Sequence, residues 1–293
     1  MQVFLTGATG YIGGAVAEAL LRAGHQVIGL ARSEEQARSL ASKGLRAHRG
    51  DLRDRNSIAT GARQADAVIH TANPGSRDTS QVDRAAVETI LHELAGFDRP
   101  FVYTSGCWVL GNTGDQIADE DTPIAPTPIV HWRPAVEELA LGAVERGVRA
   151  VVLRPAMVYG RGGGLVNLFL QSAREYGAAR MVGDGSNRWT CVHVDDLADL
   201  YVRALAAPAG TLLYAAHGPA VRMREIAEAA SRASGAGGKV EAVPRLEARK
   251  TMGLVADALA LDQQISGARA ERLLGWRPHA HSILEDLAAA LHA

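Results

Sequence analysis

Cysteine is nearly absent. Only Cys107 and Cys191 occur in 293 residues, which leaves no disulfide framework and no C-x-x-C metal spacing; both read as buried packing residues. An excess of charge of either sign is also missing. Lys and Arg number 31 against 32 Asp and Glu, a net charge of −1, without the basic surplus of a nucleic-acid binder. The 10 histidines form no tract, and no residues are assigned to a metal. No apolar run approaches the ~18 residues that a membrane-spanning helix needs. The chain opens on the strand-like Met1-Gln2-Val3-Phe4-Leu5 rather than on the basic and apolar segments of a signal peptide. These absences predict a soluble, cytoplasmic chain with no nucleic-acid or membrane partner. Internal repeats, low-complexity tracts and a clear interdomain linker are lacking too.

What is present is core material: 47% of residues are apolar and 22% charged, a globular composition. Short apolar strands alternate with amphipathic helices. Strands are expected at Val3–Thr6, Gln26–Ala31, Leu45–His48, Ala67–His70, Phe101–Thr104 and Ala150–Leu153. Helices are expected at Ile12–Ala23, Glu34–Lys43, Asn56–Arg63, Val82–Leu94 and Pro134–Arg146. This alternation predicts an α/β protein, a Rossmann-type doubly wound parallel sheet with helices on both faces. After Pro155 the rhythm changes. Residues 1–155 form the expected core, with 190–216 returning to it as helix Asp195–Ala207 and strand Thr211–Tyr214. Residues 156–189 and 217–293 make a small C-terminal α/β substrate lobe, including a flexible loop at Gly160–Gly164 and a helix at Leu165–Tyr176.

Between the first strand and first helix lies Thr6-Gly7-Ala8-Thr9-Gly10-Tyr11-Ile12-Gly13. Gly7, Gly10 and Gly13 allow a tight turn and let backbone approach a pyrophosphate without an intervening Cβ. The helix start offers unpaired N–H groups and a partial positive charge to phosphates. With a strand before and a helix after, the spacing predicts dinucleotide binding. The second strand ends in Leu30-Ala31-Arg32-Ser33, with no acid at its tip. Arg32 and Ser33 suit a 2′-phosphate, so NADP is favoured; Glu34 or Glu35 could still reach a ribose, and NAD stays possible.

At this point the sequence resembles the extended or atypical short-chain dehydrogenase/reductases, the NAD(P)-dependent epimerase/dehydratase-like family. The resemblance includes the glycine loop, Gly50-Asp51-Leu52, Val68-Ile69-His70-Thr71-Ala72 and Tyr103-Thr104-Ser105-Gly106. It continues through Leu153-Arg154-Pro155-Ala156-Met157-Val158-Tyr159-Gly160, His193-Val194-Asp195-Asp196-Leu197-Ala198 and Leu274-Gly275-Trp276-Arg277-Pro278. The resemblance implies that Asp51 and Leu52 contact the adenine and that Thr71, Ala72 and Thr104 line the cofactor. It also implies that Pro155, Met157 and Val158 border the nicotinamide. Arg188 matches a residue that holds a diphosphate in sugar-nucleotide members, while His193 and Asp195 look structural. Asn73, Trp132 and Tyr159 would face substrate. A homodimer through Val82–Leu94 and Pro134–Arg146 is implied as well.

One part of the pattern breaks. The family uses a tyrosine, a lysine four residues later, and a serine or threonine. Counting places Val130 and Pro134, or with a shift of one Ile129 and Arg133, at the tyrosine and lysine positions. Spacing to Gly111 puts Gly106 where the hydroxyl often lies, with Ser105 beside it. His131 and Arg133 are the nearest replacements: an imidazole exchanges protons near neutral pH, and an arginine holds a ribose or a substrate anion. The alternative is a His131 on a plain loop and an Arg133 paired with Glu137 at i, i+4. Three functions follow. The first is an NADP(H)-dependent oxidoreductase acting on a small organic substrate with an altered proton donor. The others are a sugar-nucleotide epimerase or dehydratase, and a non-catalytic NADP(H)-binding regulator.

Overall fold

The computed structural model describes residues 1–289. Its centre is a seven-stranded sheet in which every neighbouring pair is parallel. The first five strands are β1 (Gln2–Thr6), β2 (Gln26–Ala31), β3 (Arg46–Arg49), β4 (Ala67–His70) and β5 (Pro100–Thr104). Across the sheet the order is β3-β2-β1-β4-β5, followed by Arg149–Pro155 and Thr211–Ala215. The chain works outward from β1 in both directions, so a crevice opens between the carboxyl ends of β1 and β4, the usual ligand position in such sheets.

Both faces are covered, and the inner strands β1, β4 and β5 are correspondingly apolar and buried, whereas the edge strand β3 is polar. Val3 and Leu5 of β1 turn to one core, with α1 (Tyr11–Arg22), α2 (Glu34–Ser42) and α7 (Val194–Ala204). Phe4 turns to the other, with α3 (Arg55–Arg63), α4 (Thr79–Leu94) and α5 (Arg133–Gly142). A single 3₁₀ turn, Ala143–Arg146, completes the segment expected as one helix.

Thr211–Ala215 takes the outer edge of the main sheet beside Arg149–Pro155, and α7 packs on α1. The expected return at 190–193 is corrected. Arg188–His193 pairs with Met157–Gly160 and His217–Arg222 in a separate four-stranded sheet. The expected flexible loop at Gly160–Gly164 is a tight reversal, with Met157–Gly160 pairing back on Gly163–Gly164. The lobe also carries α6 (Asn167–Tyr176), α8 (Met223–Ala233), α9 (Arg245–Met252) and α10 (Val255–Leu259). Its closing segment is fastened to α7: both Asp196 carboxylate oxygens accept backbone N–H groups of His279 and Ala280, and Trp276 Nε1 donates to the Asp196 carbonyl. No described helix is long and apolar enough to cross a membrane.

Candidate functional site

The glycine loop is built as its spacing requires. Gly7 has φ +79°, and a Cβ there would lie 2.8 Å from the Ala72 backbone nitrogen. A Cβ at Gly13 would stand 2.1 Å from the Gly7 carbonyl oxygen. Gly10 begins α1 without a side-chain cap, leaving the first helical N–H groups for a ligand. Gly7, Thr9, Gly10, Tyr11, Ile12, Gly13, Arg32, Asp51, Leu52, Thr71, Ala72 and Asn73 line one crevice of about 380 Å³. Ser33 does not line it; its hydroxyl caps α2 by accepting from Gln36 N. Glu34 is turned away toward Arg49, 2.9 Å distant. Arg32 has no carboxylate partner among the described residues, whereas the Arg53 fork on the same crevice is occupied by Asp78.

A second cavity, of about 810 Å³, meets the first at Tyr11, Ile12 and Asn73, within the usual range for small-molecule sites. Thr104, Ser105, His131, Trp132, Arg133, Pro155, Met157 and Val158 all line it. Ile129, Val130 and Arg133 reach it, whereas Pro134 does not. Ser105 is 7% exposed and its hydroxyl has no hydrogen-bond partner among the described residues. The Thr104 hydroxyl is already taken by that of Tyr201, 2.7 Å away. His131 Nδ1 lies 2.6 Å from the Pro128 carbonyl, an arrangement in which Nδ1 donates and Nε2 is left for proton exchange.

Two expected substrate residues are elsewhere. Tyr159 lines neither cavity; it packs edge-on against His193 and its hydroxyl donates to the His281 carbonyl at 2.5 Å. Arg188 also lies outside both cavities, with its guanidinium on Asp262 at 2.7 Å and Asp115 at 3.1 Å. The Arg133–Glu137 pairing is corrected too. Glu137 is buried and forks onto Arg154, at 3.0 and 3.2 Å from its Nε. Tyr11 is the one tyrosine lining the larger cavity, its hydroxyl donates to the Gly160 carbonyl, and burial holds its pKa above the ordinary phenol range. Burial pushes the Cys107 thiol up to about 12, so it stays protonated.

Beneath the cavities runs a buried chain that motif spacing does not reveal. Tyr103 donates to Asp83 at 2.8 Å, His70 Nε2 lies 3.1 Å from the other Asp83 oxygen, and His70 Nδ1 is 2.7 Å from the Thr6 hydroxyl. Arg133 reaches Tyr103 Oη at 3.4 Å and the Thr104 carbonyl at 2.8 Å. The signal available in the sequence was Asp83 itself, an acid on the apolar face of α4 among Val82, Ala86, Val87 and Ile90.

The family model for the NAD dependent epimerase/dehydratase family matches residues 3–213. The chain belongs to that family. An uncharacterised protein of Schizosaccharomyces pombe is 33% identical over 301 residues, covering 99% of each chain. The 2-alkyl-3-oxoalkanoate reductase of Stenotrophomonas maltophilia is 29% identical over 261 residues, covering 80% of this chain and 76% of that protein. In fold, this family member is similar to Thermus thermophilus UDP-glucose 4-epimerase, solved in complex with NAD. The TM-score is 0.82 at 22% identity, over 100% of this chain and 98% of that one.

Proposed function

We propose that the protein is an NADP(H)-dependent oxidoreductase that reduces a carbonyl group of an apolar organic molecule. The observation that carries this reading is the junction of a glycine-cradled crevice with a larger apolar cavity lined by Ser105, whose buried hydroxyl has no partner among the described residues. The crevice fits a dinucleotide: Gly7 and Gly13 leave no room for a side chain, and α1 presents uncapped N–H groups. Gly7, Thr9, Gly10 and Gly13 would hold the pyrophosphate, Asp51 and Leu52 the adenine, and Arg32 the 2′-phosphate. Pro155, Met157 and Val158 would border the nicotinamide. Arg32 stands at the end of β2 without a carboxylate partner among the described residues, while the nearby Glu34 is engaged by Arg49; this supports NADP over NAD.

When bound, NADPH supplies two electrons and a hydrogen to the carbonyl carbon. The protein's own residues do the rest. Ser105 donates its unengaged hydroxyl hydrogen to the carbonyl oxygen as negative charge develops there. His131 Nε2 delivers the proton that completes the alcohol. Trp132, with Ile129 and Val130, keeps water from the reacting carbon. The S. maltophilia reductase, named for a 3-oxoalkanoate, supports a ketone substrate. The occupied fork of Arg188 speaks against the sugar-nucleotide reading, which would need that residue for a diphosphate. The same reading includes a homodimer through α4 and α5, which lie side by side on one face of the sheet; light scattering checks it.

The test is NADPH oxidation across a panel of aliphatic and aromatic ketones, enones and imines. Turnover with at least one apolar ketone is expected. Tight NADPH binding without turnover on any of them would favour the non-catalytic regulator instead.

A further inference from the structure

The larger cavity is apolar but not neutral. Its lining includes Trp108, Trp132, Ile129, Leu165, Leu254 and Val255. Its charged side chains are Arg133 and Arg77, joined by the titratable His131; among the described residues no Asp or Glu lines it. A cation drawn partly out of water normally has a carboxylate beside it, because an uncompensated charge there is costly. Two of the less exposed arginines follow this rule: Arg154 sits on Glu137 and Arg188 on Asp262.

Arg133 departs from it. Its guanidinium is half-buried, with Cζ 4.7 Å over the Trp132 ring, and among the described residues no carboxylate lies within 4.0 Å. Only Nη1 is engaged, by the Thr104 carbonyl at 2.8 Å and Tyr103 Oη at 3.4 Å. Both partners are neutral acceptors on β5, so they fix the plane of the fork without cancelling its charge. Tyr103 spends its own hydrogen on Asp83, 2.8 Å away, so toward Arg133 its oxygen can only accept. Nε and Nη2 have no protein acceptor among the described residues. An oriented guanidinium edge with unspent donors, set in an apolar chamber, matches the geometry of a carboxylate. Arg77, with no carboxylate partner among the described residues, adds a second cation on the exposed loop after β4, where it raises the local potential for an anion entering the cavity.

We infer that Arg133 is the receptor for a carboxylate carried by the substrate, so that the substrate class is an apolar carboxylic acid whose reacting carbonyl lies near Ser105. This rests on the oxidoreductase reading for the reacting carbonyl, but the acid site itself can be measured without turnover.

The experiment titrates n-decanoate and decan-1-ol into the full chain, with and without saturating NADP⁺, and follows tryptophan emission, since Trp108 and Trp132 line the cavity. Decanoate is expected to bind about tenfold or more tighter than the alcohol. Arg133→Met, checked for an unaltered melting temperature, should erase that difference, and Arg133→Lys should keep part of it. Equal binding of acid and alcohol, or decanoate affinity that survives Arg133→Met, overturns the inference. Loss of NADP⁺ affinity in Arg133→Met with decanoate binding intact also overturns it, since the arginine would then serve the cofactor. Should Arg133→Met fail to fold, Arg133→Lys takes its place, and an acid-over-alcohol preference undiminished in that variant would overturn the inference. The two readings fail separately. Decanoate binding with no ketone ever reduced would sink the oxidoreductase and keep the acid site; ketone reduction indifferent to a carboxylate would do the reverse.

Discussion

Arg133 donates to the backbone carbonyl of Thr104 across 2.8 Å, which ties the first residue of α5 to the carboxyl end of β5. That contact, and not an ion pair one helical turn along, sets where the guanidinium lies. It also releases Glu137 to face Arg154, whose side chain is 6% exposed against 4% for the glutamate.

Glu137 therefore has a structural consequence. Replacing it with alanine leaves Arg154 buried with only the Tyr214 hydroxyl, 2.7 Å away, as partner. Unpaired buried charges of this kind cost about 3–5 kcal/mol. Denaturant unfolding of Glu137→Ala should show a loss of that order; a loss below about 1 kcal/mol, the worth of a surface pair, would contradict the assignment.

Ser105 separates stability from chemistry. Its buried hydroxyl has no partner among the described residues, so Ser105→Ala should leave stability unchanged or raise it by up to about 1 kcal/mol. The same change should lower kcat/KM on a reduced ketone by about 10²-fold or more, the usual worth of one donor to a developing oxyanion. Unimpaired kcat/KM would remove Ser105 from the reaction.

Gly13 has no space for a methyl group, because a Cβ there would meet the Gly7 carbonyl oxygen at 2.1 Å. Backbone must move, at a cost of about 1–3 kcal/mol. Gly13→Ala should lower both the melting temperature and NADPH affinity. Normal values of both would mean that the loop does not hold the cofactor as described.

Arg32 is the test of cofactor choice. Losing a charged hydrogen-bond partner of a phosphate is worth about 1.5–3 kcal/mol. Arg32→Ala should therefore weaken NADPH binding about tenfold or more while leaving NADH binding nearly as it was. A preference that stays the same would end the role given to Arg32.

The Arg188–Asp262 pair predicts a pH effect. Arg188 holds the Asp262 carboxyl below its ordinary pKa, with burial opposing the shift. A carboxyl whose folded pKa lies below its unfolded value adds stability above the unfolded pKa of about 4, and loses it as pH falls through the folded value. Asp262→Asn should thus be less stable than the natural protein at pH 6, and the gap should close toward pH 2. A gap that stays constant over that range would exclude the linkage.

Local pattern carried a large part of this molecule. The strand–helix alternation, the glycine loop and the order of motifs along the chain placed β1, α1 and β2 correctly, because these depend on neighbours in sequence. Gly7 and Gly13 are legible since the need for φ above zero and for close backbone approach is local. Tyr159 lies away from the cavity because partners distant in sequence, His193 and His281, set its direction. Val158 lines the cavity and Tyr159 turns to His193 and the His281 carbonyl.

By itself, then, the sequence determined the doubly wound sheet and the glycine loop at its centre. Tertiary structure alone decided which charges meet. Glu137 took Arg154 from a neighbouring strand, and Asp262 took Arg188 across 74 residues. Arg133 was left facing an apolar cavity without a carboxylate partner among the described residues. The reason is that a buried charge is stabilised by whichever opposite charge lies within a few ångströms, and that distance is set by packing between elements rather than by spacing along the chain.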